Sequence, residues 1–415
     1  FHNAKFDLAM LEYHFNFQFA RVEDTMLMHY LLNENPGTHG LKQLAMKHTI
    51  YGDYEKPLSD YIDNYCKRNR VLKSQFNWGM IPFDIMQVYS AMDSVVTFCI
   101  FKLFKEAIAK NPRLQKVYDN LLIPGMLFLK DCQDIGVPFD RKRLELAQNL
   151  MEVEIQEAID NLYNFKEIKV FEKGQGKEFN PNSTVQLRSL LFDYIGLKPT
   201  GKKTGTGAHS TDAEVLQKLG GEHEVPQYIL DIRQKSKIKN TYLDKIIPQL
   251  DRDSRLRTNF NLHSTTSGRL SSSGKLNMQQ IPRDNPIIKG CIKAKEGNKI
   301  VAMDLTTAEV YVAAALSNDK NLQQVFRSGG NFHSSIAKLV FKLPCDVEDV
   351  GDRYSLERQA AKAVTFGIMY GAGAMKISQQ VSKDAGSYFS VNEAQEVIND
   401  YFHQFQDLKR WLEDC

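Results

Sequence analysis

The sequence is short of cysteine, of net charge and of long apolar runs, and each shortage excludes something. The six cysteines, Cys66, Cys99, Cys132, Cys291, Cys345 and Cys415, form no CxxC pair and keep no zinc-ligand spacing with histidine. That argues against a zinc site or a disulfide framework and fits a reducing compartment. No run of 18 apolar residues occurs, so no membrane-spanning helix and no membrane partner are expected. Neither a start methionine nor a signal peptide precedes Phe1, and the chain reads as a piece of a longer one.

What is present is an ordinary globular composition, 42% hydrophobic and 25% charged over 415 residues, a length that calls for two or three domains. The formal net charge of +3 is unevenly spread, since residues 231–299 hold 15 Lys/Arg against 6 Asp/Glu. An excess of that size fits a polyanion better than a small metabolite, although a solvated Lys-rich helix would look the same.

Residues 1–110 read as the tail of an α/β domain that closes on the apolar helix in "YSAMDSVVTFCIFKLFKEAI". A connector over 111–140 is punctuated by Pro112 and Pro124 and ends at Gly136 and Pro138. An amphipathic helix follows over 140–165, then a second stopped at Gly196. "TGKKTGTGAHS" reads as a mobile loop, Thr211 and Glu214 as a capping box, and "YILDIRQKSKIKNTYLDKIIPQL" as a long basic helix. "HSTTSGRLSSSGKLNMQQIPR" is too rich in turn formers for a long helix. The apolar residues 300–303 predict a buried strand ending at Asp304, with a helix after it.

In "RQAAKAVTFGIMYG", Arg358, Lys362, Phe366 and Tyr370 fall every fourth residue. On a helix they share one flank over about 18 Å, a length that suits a triphosphate attached to a base. Arg358 can fork onto phosphate oxygens, Lys362 can meet them as a point charge, Phe366 can cover the sugar and base, and Tyr370 can stack beside the new pair. A core stripe with a solvated edge produces the same spacing. Gly367 and Gly371 cost about 1 kcal/mol each inside a helix and imply a close approach.

This segment resembles motif B of the family A DNA polymerases, the DNA polymerase I type, where the helix belongs to the fingers and binds the incoming deoxynucleoside triphosphate. "MDLTTAEVYVAAALS" resembles motif A, with Asp304 at the metal-binding palm carboxylate and Glu309 at the gate against a ribose 2′-hydroxyl. The resemblance implies two Mg²⁺ ions for in-line phosphoryl transfer. Glu309 would also suit a capping box with Thr306. The commoner form is "DYSQIELR", so Leu305, Thr306, Thr307, Ala308 and Tyr311 depart from it, a variation that resembles replicative enzymes of tailed phages. "TTSGRLSSSGKLNMQQIP" is similar to the family segment along the primer-template minor groove, with Arg269, Asn277 and Gln279 in matching positions. His333 matches a histidine near the triphosphate, with Asn331 where Asp is usual. "RQKSKIKNTYLDKI" resembles the thumb helix, whose Lys235, Lys237 and Lys239 would grip the DNA backbone.

Near the N-terminus, "HNAKFDLAML" and "YSAMDSVVTF" resemble the second and third motifs of the DEDDy-type 3′-to-5′ proofreading exonuclease. Asp7 and Asp93 would hold metals and Tyr89 would orient the attacking water. The family's first exonuclease motif, D-x-E, and its polymerase motif C, H-D-E-like, have no match. The one "DAE", Asp212 to Glu214, reads as a helix start. The isolated chain is therefore expected to bind primer-template weakly and not to extend it.

The resemblance implies an α/β and α+β multidomain fold: a partial RNase H-like exonuclease domain over 1–110, a connector over 111–140, a thumb region over 141–260, a first palm segment over 261–320 and fingers over 321–415. It implies template-directed DNA synthesis with proofreading, with primer-template DNA, deoxynucleoside triphosphates and a processivity factor or helicase as partners, in a host-cell cytoplasm. An exonuclease whose polymerase half only binds DNA, or a non-catalytic DNA-binding remnant, remain the alternatives.

Overall fold

The computed structural model describes every residue except Lys275, Arg283, Asp284, Thr306, Gly386 and Ser387, and the side chain of Ala385. The chain divides into two compact units, Phe1–Ile300 and Val301–Cys415.

The first unit starts around one buried carboxylate. Asp24 accepts the amides of Asn3 and Ala4 at the head of α1 (Ala4–Phe15) and those of Met26 and Leu27 at the head of α2 (Thr25–Leu32). One side chain thus satisfies donors that two helix starts would leave unpaired. α3 (Leu41–His48), α4 (Lys56–Asn69) and the 27-residue α5 (Phe83–Ala109) follow. α5 buries Val96, Ile100, Phe104 and Ile108, every fourth residue, and packs on α2 and α3. With Leu8, Met28 and Leu44 they form one core, each side chain contributing about 1.5–3 kcal/mol. A smaller core of Leu58, Cys66, Phe76 and Ile81 lies under α4. Residues 1–110 contain only helices and turns among the described residues.

The segment expected to be a connector is helical, α6 (Pro112–Val117) and α7 (Ile123–Ile135), and stops at Gly136, where φ is +66° and a Cβ would sit 2.8 Å from Arg257. β1 (Val137–Pro138) pairs antiparallel with β2 (Arg255–Leu256). Between them run α8 (Arg141–Tyr163), α9 (Lys166–Gln175), α10 (Thr184–Ser189), α11 (Ala213–Leu219) and α12 (Glu224–Lys237), with α8 packed along α12. A π-helical turn over Ile238–Leu243 carries α12 into the short α13 (Asp244–Ile246). The Ser/Gly-rich stretch forms a second antiparallel pair, β3 (Asn259–Asn261) with β4 (Ser271–Ser273), before α14 (Pro286–Gly290).

The second unit is helical: α15 (Ala308–Leu316), α16 (Lys320–Arg327), α17 (Phe332–Phe341), α18 (Val350–Arg353), α19 (Ser355–Met369), α20 (Ala374–Ala385), α21 (Val391–Gln404) and α22 (Gln406–Asp414). α17, α19, α20 and α21 pack about Ile336, Ala361, Val364, Ile377 and Tyr401. Gly367 meets the close-approach expectation, since a Cβ there would lie 2.9 Å from Ile377 Cγ1. Gly371 serves otherwise: at φ +66° it ends α19 in a Schellman turn, with Ala372 N on Gly367 O at 2.8 Å and Gly371 N on Ile368 O at 3.1 Å.

Three expectations are corrected. Residues 300–303 are not a buried strand: they lie outside any ladder, and Ile300, Val301 and Met303 are 56%, 76% and 92% exposed. An apolar run becomes a strand only where a neighbour takes its backbone hydrogen bonds, and no described strand does so. "TGKKTGTGAHS" is a small hairpin rather than an open loop, closed by Thr204 N to Ala208 O and Ser210 N to Lys202 O at 2.8 and 2.9 Å. The cap of α11 is Asp212, which accepts Val215 N at 3.0 Å, whereas Glu214 is drawn to Lys202 and Lys218. The proposed box of Thr306 with Glu309 lies partly outside the described residues.

Candidate functional site

Two groups of predicted residues are brought together, one in each unit. In the first, α1 supplies Asp7 and α5 supplies Tyr89 and Asp93, and all three line one cleft of about 1470 Å³. Tyr89 and Asp93 are four residues apart on one helix face. Burial raises the Asp7 carboxyl above the usual carboxylate range; the chain's amino terminus opposes this, and the negative charges of Asp24 and Asp93 add to it. The cleft contains a residue that motif reasoning missed: Tyr54, in the turn before α4, donates its hydroxyl to Asp93 Oδ1 at 2.5 Å and stacks on Tyr89 with ring centroids 6.3 Å apart. A lone tyrosine in "GDYEKP" carries no pattern that would have found it.

The same cleft is bordered by histidines. His29 and His39 approach Nδ1 to Nδ1 at 2.8 Å, and the His39 ring lies 5.9 Å from that of His263. Burial lowers the pKa of each of them below the ordinary histidine value, that of His29 to about 4.

In the second unit, α17 and α19 present the other group. Asn331 caps α17 through Ser334 N, and Arg358 Nε donates to Ser334 Oγ at 3.2 Å while its Nη2 reaches Asn331 Oδ1 at 3.5 Å. The departure at Asn331 therefore retains an oxygen that receives the arginine. The His333 ring lies 5.5 Å from that of Phe366. Burial lowers the His333 pKa to about 4, with the charges of Lys362 and Arg358 adding to it, so the imidazole is neutral at pH 7. Its Nδ1 is buried with no partner among the described residues. Lys362 is exposed, and the Tyr370 hydroxyl donates to Glu309 Oε1 at 3.2 Å. A cationic, partly aromatic face with an unused ring nitrogen suits an anionic ligand that carries a flat base.

Asp304 stands apart, exposed on the irregular segment before α15. Of the three lysines expected to grip DNA, Lys235 pairs with Asp231 at 2.9 Å and Glu154 at 3.5 Å, Lys239 pairs with Asp244 at 3.3 Å, and Lys237 is exposed. Asn277 accepts Gln279 N at 3.0 Å, the Gln279 amide reaches Leu270 O at 3.3 Å, and Arg269 is exposed next to that turn.

Among the described residues no three His, Cys, Asp or Glu side chains converge as a metal site. Asp7 and Asp93 nevertheless suit part of one, since they are oxygen donors in a shared cleft and a cation would offset the burial, and the smaller repulsion, that raise Asp7. No helix among the described residues is long and apolar enough to cross a membrane.

Comparison with known proteins gives two family matches, DNA polymerase family A over residues 148–415 and 3′-5′ exonuclease over residues 1–109. The chain is 47% identical to the DNA polymerase of Escherichia phage T5, across all of this chain and 51% of that protein. It is 38% identical to the thermostable DNA polymerase I of Thermus aquaticus, across 72% of this chain and 34% of that protein. It thus spans about half the length of the phage relative. A solved structure, the POL domain of Pol1 from M. smegmatis in complex with DNA primer-template and dNTP, matches all of this chain and 64% of its own with a TM-score of 0.75 at 24% identity, which supports a mostly helical α/β multidomain fold.

Proposed function

As this chain belongs to the family A DNA polymerases, we propose that it supplies the nucleotide-binding and proofreading surfaces of an enzyme that extends a primer on a DNA template and removes mispaired ends. The observation that carries this reading is the convergence of His333, Arg358, Lys362, Phe366, Tyr370 and Glu309 on two packed helices and the helix beside them. Arg358 and Lys362 bind and orient the triphosphate, and neutral His333 offers a hydrogen bond without adding charge. Phe366 and Tyr370 cover the sugar and base, and Glu309, held by Tyr370, stands against a ribose 2′-hydroxyl.

In the cleft, Asp7 and Asp93 hold divalent metal and Tyr89 orients water. Mg²⁺, when bound, neutralises charge on the phosphates in both reactions. Asp304 would hold metal for synthesis. Lys235, Lys237 and Lys239 meet the DNA backbone, and Arg269, Asn277 and Gln279 meet the minor groove, whose acceptors are alike for all base pairs. The Lys235 and Lys239 ion pairs exchange carboxylate for phosphate on binding. A processivity factor or helicase on the same DNA, and work in the cytoplasm of a phage-infected host, belong to this proposal.

The test is primer extension by the full-length polymerase. Phe366→Tyr should raise dideoxynucleotide incorporation relative to deoxynucleotide incorporation, and equal ratios in both versions would refute the assignment of Phe366. Lys362→Ala should abolish most incorporation, and unchanged incorporation would refute the triphosphate site.

A further inference from the structure

Tyr54 makes two contacts with the cleft's assigned groups and no motif includes it. Its hydroxyl donates to one oxygen of Asp93, and its ring lies against that of Tyr89 with an interplanar angle of 22°. It is half-buried, packed on the core beneath α5, while Tyr89 packs on the separate core under α4. The pair therefore joins two cores at the edge of the cleft.

A carboxylate that accepts a bond at Oδ1 has its plane fixed and keeps Oδ2 for another partner. Stacking limits the Tyr89 ring to one tilt. We infer that Tyr54 is a positioning residue of the exonuclease cleft: it holds the Asp93 carboxylate in the orientation that receives a divalent cation and holds Tyr89 over the place where water is oriented. The inference rests on the exonuclease reading above. It predicts that the hydroxyl and the ring have separable effects, because one acts on Asp93 and the other on Tyr89.

The experiment uses the full-length enzyme carrying Tyr54→Phe or Tyr54→Leu, with Mn²⁺ binding followed by electron paramagnetic resonance and hydrolysis of a single-stranded 3′ end measured across metal concentration. Tyr54→Phe should weaken Mn²⁺ binding by about 10-fold and shift the metal requirement for hydrolysis equally, with the rate recovered at saturating metal. Tyr54→Leu should lower the rate further even at saturating metal, because Tyr89 is then unsupported. Mn²⁺ affinity and metal requirement unchanged in Tyr54→Phe would overturn the inference, as would an equal fall in both variants that follows a lowered unfolding midpoint. Asp93→Asn is the control on the underlying reading: if it binds Mn²⁺ as tightly as the unaltered enzyme, the exonuclease site itself is misassigned.

Discussion

The cleft beside α1 and α5 and the face of α17 and α19 both gather charged and aromatic side chains, but by different means. In the cleft, Asp7 and Asp93, 86 residues apart in the chain, line one cavity of about 1470 Å³ from two helices. On α19, positive groups from one helix point outward along a single flank, steadied by a neighbour. Like charges held together raise proton affinity and ask for a cation. Cations spread along a helix ask for a long anion. The two sites are thus electrostatic opposites, so they should fail independently.

A pair of crossed substitutions in the full-length enzyme tests that independence. Lys362→Ala should lower nucleotide incorporation by about 10²–10³-fold while leaving end hydrolysis near its original rate. Asp93→Ala should lower hydrolysis by about 10²-fold or more and spare extension. Loss of both activities by either change would mean that the two sites are not independent.

A smaller effect separates the two glycines of α19. Gly367→Ala places a methyl 2.9 Å from Ile377 and should destabilise the second unit by about 1–3 kcal/mol. Gly371→Ala meets no atom within 4 Å and should cost about 1–2 kcal/mol through its positive φ alone. Denaturant unfolding measures both, and a rescue of Gly367→Ala, but not of Gly371→Ala, by Ile377→Val would identify crowding as the cause.

The smallest effect is in acid. His2, His29, His39, His48 and His263 all have lowered pKa values in the first unit, whereas His333 is the one such histidine among the described residues of the second. A folded-state value below 6.5 means that the unfolded chain binds protons first. The stabilisation is therefore complete above about pH 6.5 and is lost as pH falls toward about 4. Hydrogen-exchange protection should fall earlier and further over residues 1–126 than over 320–410. Equal losses would remove the asymmetry.

Much of this was legible in the order of residues. Arg358, Lys362, Phe366 and Tyr370 declared a helix flank by spacing, as did Tyr89 and Asp93, since four-residue steps encode that local geometry, whereas Asp7 was tied to them by motif resemblance alone. Tyr54 was not legible because its partner lies 39 residues away and contact at that range follows from packing. The strand expected at 300–303 failed for the converse reason: its apolar residues are local, but a ladder is not. Asp212 displaced Thr211 as the cap because a carboxylate one residue on reaches Val215 N directly.

The double cap at Asp24 bears on how the cleft can move. α1 carries Asp7, α2 packs on α5, and α5 carries Asp93, so the separation of the two carboxylates is set through a residue that belongs to neither. Pulling α1 from α2 would strand the amide protons of Asn3 and Ala4 together, which makes that side of the cleft a fixed jaw.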